Sequence, residues 1–171
     1  MSARDWLLAS DPAIRWQALR DLTDAPAAGV AAARARVATE GWGARLLSLR
    51  GPDGQWHTGR SDPEWPSLLA LLLLRDLGLD PASPQGREAV AGVRDTATWH
   101  SRGPWHGTPV FAGEVEPCIN GRVVAAGAYF GVDVNAIVDR LLGEQQPDGG
   151  WNCERENGST RSSFHTTIDV I

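Results

Sequence analysis

The sequence predicts an all-α repeat protein, and three observations lead to this prediction. A helical pattern that ends in Pro-Asp-Gly and a tryptophan occurs over residues 45–56 and again, 95 positions further on, over residues 140–151. A shorter Gly-Pro-Trp at 103–105 lies midway, so one unit spans about 48 residues, which is enough for a helical hairpin. No segment shows the sustained alternation of apolar and polar residues that a half-buried strand requires.

The repeated motif has a clear local meaning. Pro-Asp-Gly after an apolar helical stripe is a helix stop followed by a tight turn, because proline fixes φ and glycine accepts positive φ. A large indole then follows the turn. We therefore interpret a set of motif residues as structural, tying one hairpin to the next. These residues are Asp53, Trp56, Trp105, Asp148 and Trp151.

Capping residues and glycine stops divide the chain into helices. Asp11 followed by Pro12 predicts an N-cap with proline in the first turn, and Ser83-Pro84 repeats that signal. The run at 68–77 is apolar almost all round, which predicts an inner, buried helix. The predicted helices cover 12–22, 29–39, 41–49, 68–77, 84–93, 123–130 with an opening at Pro117 or Asn120, 135–142, and 163 onward. The segment 98–113 is predicted to be an ordered loop.

Residues 145–151, with the sequence Gln-Gln-Pro-Asp-Gly-Gly-Trp, resemble the QW motif of the squalene cyclase and protein prenyltransferase superfamily. That resemblance implies an α/α toroid of stacked helical hairpins. It covers most of the chain from about residue 41, and residues 1–40 match only as a helical hairpin. We expect one toroid domain over 1–171 that supplies about half of a ring. The last helix ends without a C-cap, so we also expect self-association or a missing C-terminal portion.

A second set of residues resembles the zinc site of prenyltransferase β-subunits. In that family an acid, one intervening residue and a cysteine, with a distant histidine between an aromatic residue and a threonine, bind catalytic zinc; Glu116, Cys118 and His165 fall on this pattern. Cys153 lies in the polar sequence after Trp151 and adds a fourth candidate. Thiolate, imidazole and carboxylate together suit Zn²⁺. The competing interpretation is that both cysteines are small buried hydrophobes.

Departures from the family pattern leave the role of this zinc open. Four protein ligands would make the site structural, whereas three ligands and a water would leave it catalytic. The family places a tyrosine after the cysteine, and an arginine and a lysine before the acid, where this chain has Ile119, Val110 and Gly113. Diphosphate binding is therefore in question. The chain also lacks an Asp-x-Asp-Asp motif of the kind that protonates alkenes in the cyclases.

Composition narrows the class of partner. The net charge of −5 and pI near 5.3 argue against nucleic acid, because phosphate binding needs a concentrated basic face. The longest apolar run, 68–74, is too short to span a membrane. The N-terminal residues do not resemble a signal peptide, so a cytoplasmic protein is expected, in which two cysteines are thiols or metal ligands rather than a disulfide.

Three functions follow as hypotheses: a zinc-dependent transferase, a terpene-cyclase-like enzyme with an aromatic interior, and a non-catalytic toroid scaffold with a structural zinc. The first two imply a hydrophobic or isoprenoid-like small molecule as substrate. Trp65 lies off the repeat and is the best candidate to line a cavity. Basic residues in the inner cavity would favour the transferase, an aspartate-rich acid the cyclase, and a closed four-ligand site with a filled interior the scaffold.

Overall fold

The computed structural model describes residues 1–59, 64–100 and 104–171, and these form an all-α structure without a strand. The all-α prediction is confirmed. Gly103 of the third turn motif, and Asp62 and Pro63 next to Trp65, lie outside the described residues. The α-helices of the described part are α1 (Ala3–Leu8), α2 (Pro12–Leu22), α3 (Ala27–Ala35), α4 (Gly41–Ser48), α5 (Glu64–Leu77), α6 (Pro84–Thr96), α7 (Pro117–Phe130), α8 (Asn135–Glu144) and α9 (Phe164–Val170).

Side-chain caps begin three helices where the sequence predicts them. Asp11 accepts a hydrogen bond from the backbone N–H of Ala13, and Ser83 and Ser163 cap α6 and α9 in the same way. Two starts differ from the prediction. The short α1, closed by a capping box between Ser2 and Asp5, was not predicted, and α5 is already helical at Glu64.

The helices from α4 onward form two layers. In one layer α7 packs between α5 and α9, and in the other α6 covers α5 and α8 covers α7. Leu68, Leu71 and Leu74 of α5 are fully buried in the shared core. The predicted inner, buried helix is buried along this face, whereas Leu69 and Leu73 are about half exposed on its other face. No α-helix in the described ranges is long and apolar enough to cross a membrane. Closure of these layers into a toroid stays a prediction.

The two complete turn motifs have the same backbone structure. In the first, the N–H of Gly51 donates to the carbonyl of Gln55 at 2.7 Å, and Gly54 adopts φ +81°. In the second, the N–H of Gln146 donates to the carbonyl of Gly150 at 2.8 Å, and Gly149 adopts φ +94°. Only glycine takes this left-handed conformation without strain, so each turn depends on its glycine.

The tryptophan after each turn ties it to the end of the preceding helix. The indole N–H of Trp56 donates to the carbonyl of Leu46 at 2.7 Å, and that of Trp151 donates to the carbonyl of Leu141, also at 2.7 Å. Both indoles are buried. Carbonyls in the last turn of a helix have few partners within the helix, so each indole adds a donor at a helix end; the Leu46 carbonyl also accepts the Leu49 N–H at 3.2 Å.

Trp105 lies in a different setting from Trp56 and Trp151. Its ring is half-buried beneath the guanidinium of Arg140, at 4.7 Å. The loop after α6 is longer than the other two turns, and Thr98 pairs with Pro109 where Arg50 pairs with Trp56 in the first turn. Trp99 is the fully buried indole of this loop. The extra length separates Trp105 from the end of α6.

Replacing Trp56 or Trp151 with phenylalanine should lower the free energy of unfolding by about 1–3 kcal/mol each, because the helix-end carbonyl loses the indole N–H and the smaller ring leaves part of a buried site unfilled. The matched control is Trp42→Phe, since Trp42 is exposed, and its effect should stay within about 0.5 kcal/mol. Urea unfolding followed by circular dichroism measures all three variants. Equal effects at all three positions would contradict the assigned role of the indole bonds.

Candidate metal centre

Glu116, Cys118 and Cys153 lie together where α7 begins. Their potential ligand atoms are all within 4.8 Å of one another, and all three side chains are half-buried. The Cys118 and Cys153 sulfurs are 2.9 Å apart, and the Cys118 thiol is 3.5 Å from Oε2 of Glu116. Both cysteines are free thiols. The cluster could hold a metal ion.

The start of α7 presents the first two ligands. Glu116 is the N-cap residue, Pro117 fixes the first helical position, and Cys118 follows in the first turn. The Glu116 side chain makes no capping bond to its own helix, which leaves its carboxylate available to Cys118. The acid and the thiol, two positions apart, therefore meet at the N-terminus of one helix.

Two residues with no predicted role in the site hold this helix start in place. The fully buried Asn120 accepts a hydrogen bond from the Glu114 N–H and donates to the Glu114 carbonyl, both at 2.7 Å. Arg140 on α8 donates to the carbonyls of Glu114 and Val115 at 2.7 and 3.0 Å. Asn120 was considered only as a possible start of this helix, and Arg140 was noticed only as part of the repeat.

Cys153 enters the cluster from the second turn motif. It begins a short 3₁₀ helix two residues after Trp151, and Asn152 caps this helix by accepting from the Glu154 N–H. The buried Thr166 of α9 donates its hydroxyl to the Cys153 sulfur at 3.4 Å and accepts from the Cys153 N–H at 3.3 Å. Thr166 thus supports Cys153 from behind, as the outer partners of metal ligands commonly do.

His165 lies outside the cluster, which corrects the predicted set of four ligands. Its side chain is 78% exposed, and its Nδ1 lies 3.8 Å from Asp169, which is paired with Arg122 at 3.0 Å. Consecutive residues of an α-helix point about 100° apart. Because Thr166 faces Cys153, the neighbouring His165 points away from it.

The cluster carries an excess of acidic groups. Burial raises the pKa of the Cys118 thiol, and the neighbouring Cys153 and Glu116 raise it further. Burial also raises the pKa of Glu114, whose carboxylate accepts the Glu116 N–H at 2.8 Å. The nearby Arg140 already pairs with Glu144 at 2.7 Å. A bound divalent cation would offset this concentration of acids and favour the ionised thiols.

The distances fit zinc after a small adjustment. Tetrahedral coordination with Zn–S of about 2.3 Å and Zn–O of about 2.0 Å places two sulfurs about 3.7 Å apart and a sulfur and an oxygen about 3.5 Å apart. The sulfur–oxygen distance already matches this value. The two sulfurs would have to move apart by roughly 0.8 Å. A rotation of about 30° about χ1 of one cysteine is enough for this.

The remaining aromatic and histidine candidates make packing and polar contacts away from the cluster. Trp65 packs edge-to-face against Trp99, with ring centroids 5.8 Å apart. The buried Glu64 accepts from the backbone N–H of His100 at 3.0 Å and lies 2.9 Å from its Nδ1. His57 pairs with Asp53 of the first turn at 2.9 Å. Cavity lining by Trp65 stays a prediction.

Comparison of the chain with protein-family models, with curated proteins and with solved structures gave no match in any of the three. The relation to the toroid superfamily therefore rests on the sequence motifs quoted above.

The raised pKa of Cys118 predicts slow alkylation of the metal-free chain. Iodoacetamide should modify Cys118 with a pH midpoint above the value of about 8.5 for a free cysteine. Glu116→Gln should lower this midpoint, because the neighbouring negative charge is removed. Glu154→Gln is the matched control, since Glu154 is exposed and bonded to Asn157. Mass spectrometry separates the two cysteines. Reaction of Cys118 at the rate of a free thiol would contradict the assigned environment.

Proposed function

We propose that this chain is a zinc protein in which Glu116, Cys118 and Cys153 hold one Zn²⁺ ion. The observation that carries the proposal is the meeting of two thiols and a carboxylate within 4.8 Å, brought from segments 35 residues apart. Two sulfur ligands favour zinc over the hard cations magnesium and calcium, which prefer oxygen. Such a site needs reduced cysteines, which makes the reducing cytoplasm the expected compartment.

Three protein ligands leave one position of a tetrahedral site open. A hollow of about 240 Å³ next to Cys153, lined also by Val115, Pro117 and Arg155, offers small molecules a path to the cluster. Zinc bound here would lower the pKa of a thiol that takes the fourth position. Thr166 orients Cys153, and the Asn120 and Arg140 bonds hold Glu116 in place. This arrangement supports a zinc-dependent transferase in which the thiolate attacks an allylic or other electrophile, so that a carbon–sulfur bond forms as the bond to the leaving group breaks and that group departs with the electron pair.

The resemblance to the prenyltransferases adds an isoprenoid-like substrate to this proposal. A hollow of about 510 Å³ between α5, α7 and α9 is lined by aliphatic side chains, including Leu72, Val124 and Ile168. Its Arg75 and Arg122 pair with the acids Asp76 and Asp169. The aliphatic side chains offer contacts for a hydrocarbon chain, while the two ion pairs make the rest of the lining polar.

Several observations favour a second candidate, a structural zinc in a non-catalytic scaffold. Val110 and Ile119, which stand where the family has diphosphate-pocket residues, are buried in the core. The arginines of the hollow between α5, α7 and α9 are already paired, so among the described residues that line it no cation is free to bind a diphosphate. In this second candidate the metal cross-links α7 to the segment before α9 and takes no substrate.

Elemental analysis tests the metal itself. Chain purified without added metal should contain one zinc per molecule, and Cys118→Ser and Cys153→Ser should each bind less than about a tenth of that. Glu116→Gln should weaken zinc binding, whereas Glu154→Gln should leave it unchanged. Circular dichroism of each variant without zinc controls for folding. Absence of zinc from the wild-type chain, or retention of zinc by both serine variants, would refute the proposal.

Cobalt substitution separates the two candidates. With an open fourth position, a small added thiol should strengthen the thiolate-to-cobalt charge-transfer absorption. If the fourth position is closed to added ligands, as in a structural site, the added thiol should leave this absorption unchanged. The first result supports the transferase and the second the structural site.

A further inference from the structure

The outer face of α9 is uncovered in the described part of the chain. Ile168 is 64% exposed and Ile171 89% exposed, although both are large aliphatic residues. Together with Phe164, Gly149 and Gly150 they line a largely apolar hollow of about 350 Å³ between α9 and the second turn. We refer to this hollow as the α9 groove.

The internal repeat shows which residues of α5 correspond to this face. The N–H of Trp56 donates to the hydroxyl of Ser67 on α5 at 3.1 Å, and the N–H of Trp151 donates to the hydroxyl of Thr167 on α9 at 3.0 Å. Aligning these two hydroxyl residues places Ile168 at the position of Leu68 and Ile171 at that of Leu71. In α5 both leucines are fully buried.

Helix α6 covers the corresponding face in the first repeat. The backbone of Gly92 touches the first turn so closely that a Cβ on it would lie 2.5 Å from the Gly54 carbonyl oxygen. The hydroxyl of Thr96 donates to the Asp53 carbonyl at 3.2 Å, and α6 buries an apolar stripe that includes Ala89 and Val93. At the second turn, a Cβ on Gly149 would meet nothing within 4 Å among the described residues.

A second covering helix follows the same arrangement. Helix α8 packs on α7 and buries Ile137 and Leu141. A Cβ on Gly113, just before α7, would lie 3.3 Å from the Ile137 side chain. Both α5 and α7 are therefore covered by the helix that follows them, whereas the described residues provide no such helix for α9.

We infer that the α9 groove is a docking site for an amphipathic α-helix of α6-like chemistry. This helix carries a glycine where it crosses Gly149, a stripe of small aliphatic residues that faces Ile168 and Ile171, and a hydroxyl donor for the Asp148 carbonyl. The glycine is needed because the first turn and α6 meet backbone to backbone. This inference does not depend on the bound metal.

The test adds such a helix in defined register. A copy of residues 72–97 is appended after Ile171 of the full chain, because Ile171 stands at the position of Leu71. Tethering removes the concentration limit on docking. The extended chain should unfold in one transition with Tm raised by about 5 °C or more. Gly92→Leu within the appended copy should abolish this rise by blocking the close crossing.

Exposed positions of matched size provide the control. In the extended chain, Ile168→Glu should abolish the rise in Tm, whereas Leu142→Glu, at a residue 63% exposed on α8, should retain it. No rise in Tm, or a rise that survives Ile168→Glu, would overturn the inference. Sedimentation of the unextended chain tests whether a second copy of the chain occupies the groove instead. A dimer abolished by Ile168→Glu but not by Leu142→Glu would show that a second copy fills the groove, and would also overturn the inference.

Discussion

The bond from an indole N–H to the last carbonyls of the preceding helix is the interaction on which the repeats depend. Leu46 and Leu141 lie in the last turns of their helices, and the indoles of Trp56 and Trp151 donate to their carbonyls. To reach that carbonyl, the chain must reverse within a few residues, which requires the left-handed glycine of each turn. The indole then fixes the direction in which the chain leaves the turn. The position of Cys153, two residues after Trp151, follows from this constraint.

The contacts of the turn aspartate, and the segment that follows the turn, differ between the two copies. In the first copy, His57 follows the indole and pairs with Asp53, and α6 lies directly on the turn. In the second copy, the Asp148 carboxylate instead accepts from the backbone and hydroxyl of Ser162. The segment after Trp151 therefore continues into Cys153 and brings its thiol to the start of α7. In the second copy, the repeated turn thus contributes a cysteine to the candidate metal centre.

Helix positions could be predicted from the sequence wherever a local signal exists. The caps at Asp11, Ser83 and Ser163 lie beside the helix they begin, so their meaning is independent of tertiary contacts. The third turn was harder, because Trp105 has the right spacing but the loop around it is longer, and Trp99 is buried instead. Spacing along the chain does not show which of two nearby indoles enters the core.

The candidate metal-binding cluster was predictable in part, because some of its residues lie beside such local signals. Glu116 and Cys118 share one helix start, and Cys153 follows a recognisable turn, so their meeting could be expected. The orientation of α9 could not, and it is this rotation that turns Thr166 toward Cys153 and His165 away. Asn120 and Arg140 act on backbone carbonyls 6 to 26 residues away, and such contacts leave no pattern in a single sequence.

X-ray absorption spectroscopy of the zinc-loaded chain identifies the ligand atoms of the metal. We expect two sulfur ligands at about 2.3 Å, with the remaining ligands oxygen or nitrogen at about 2.0 Å. Loss of one sulfur ligand in Cys118→Ser and in Cys153→Ser would assign each thiol. Coordination by oxygen and nitrogen alone would contradict zinc binding by Cys118 and Cys153, because it would place the metal away from both thiols.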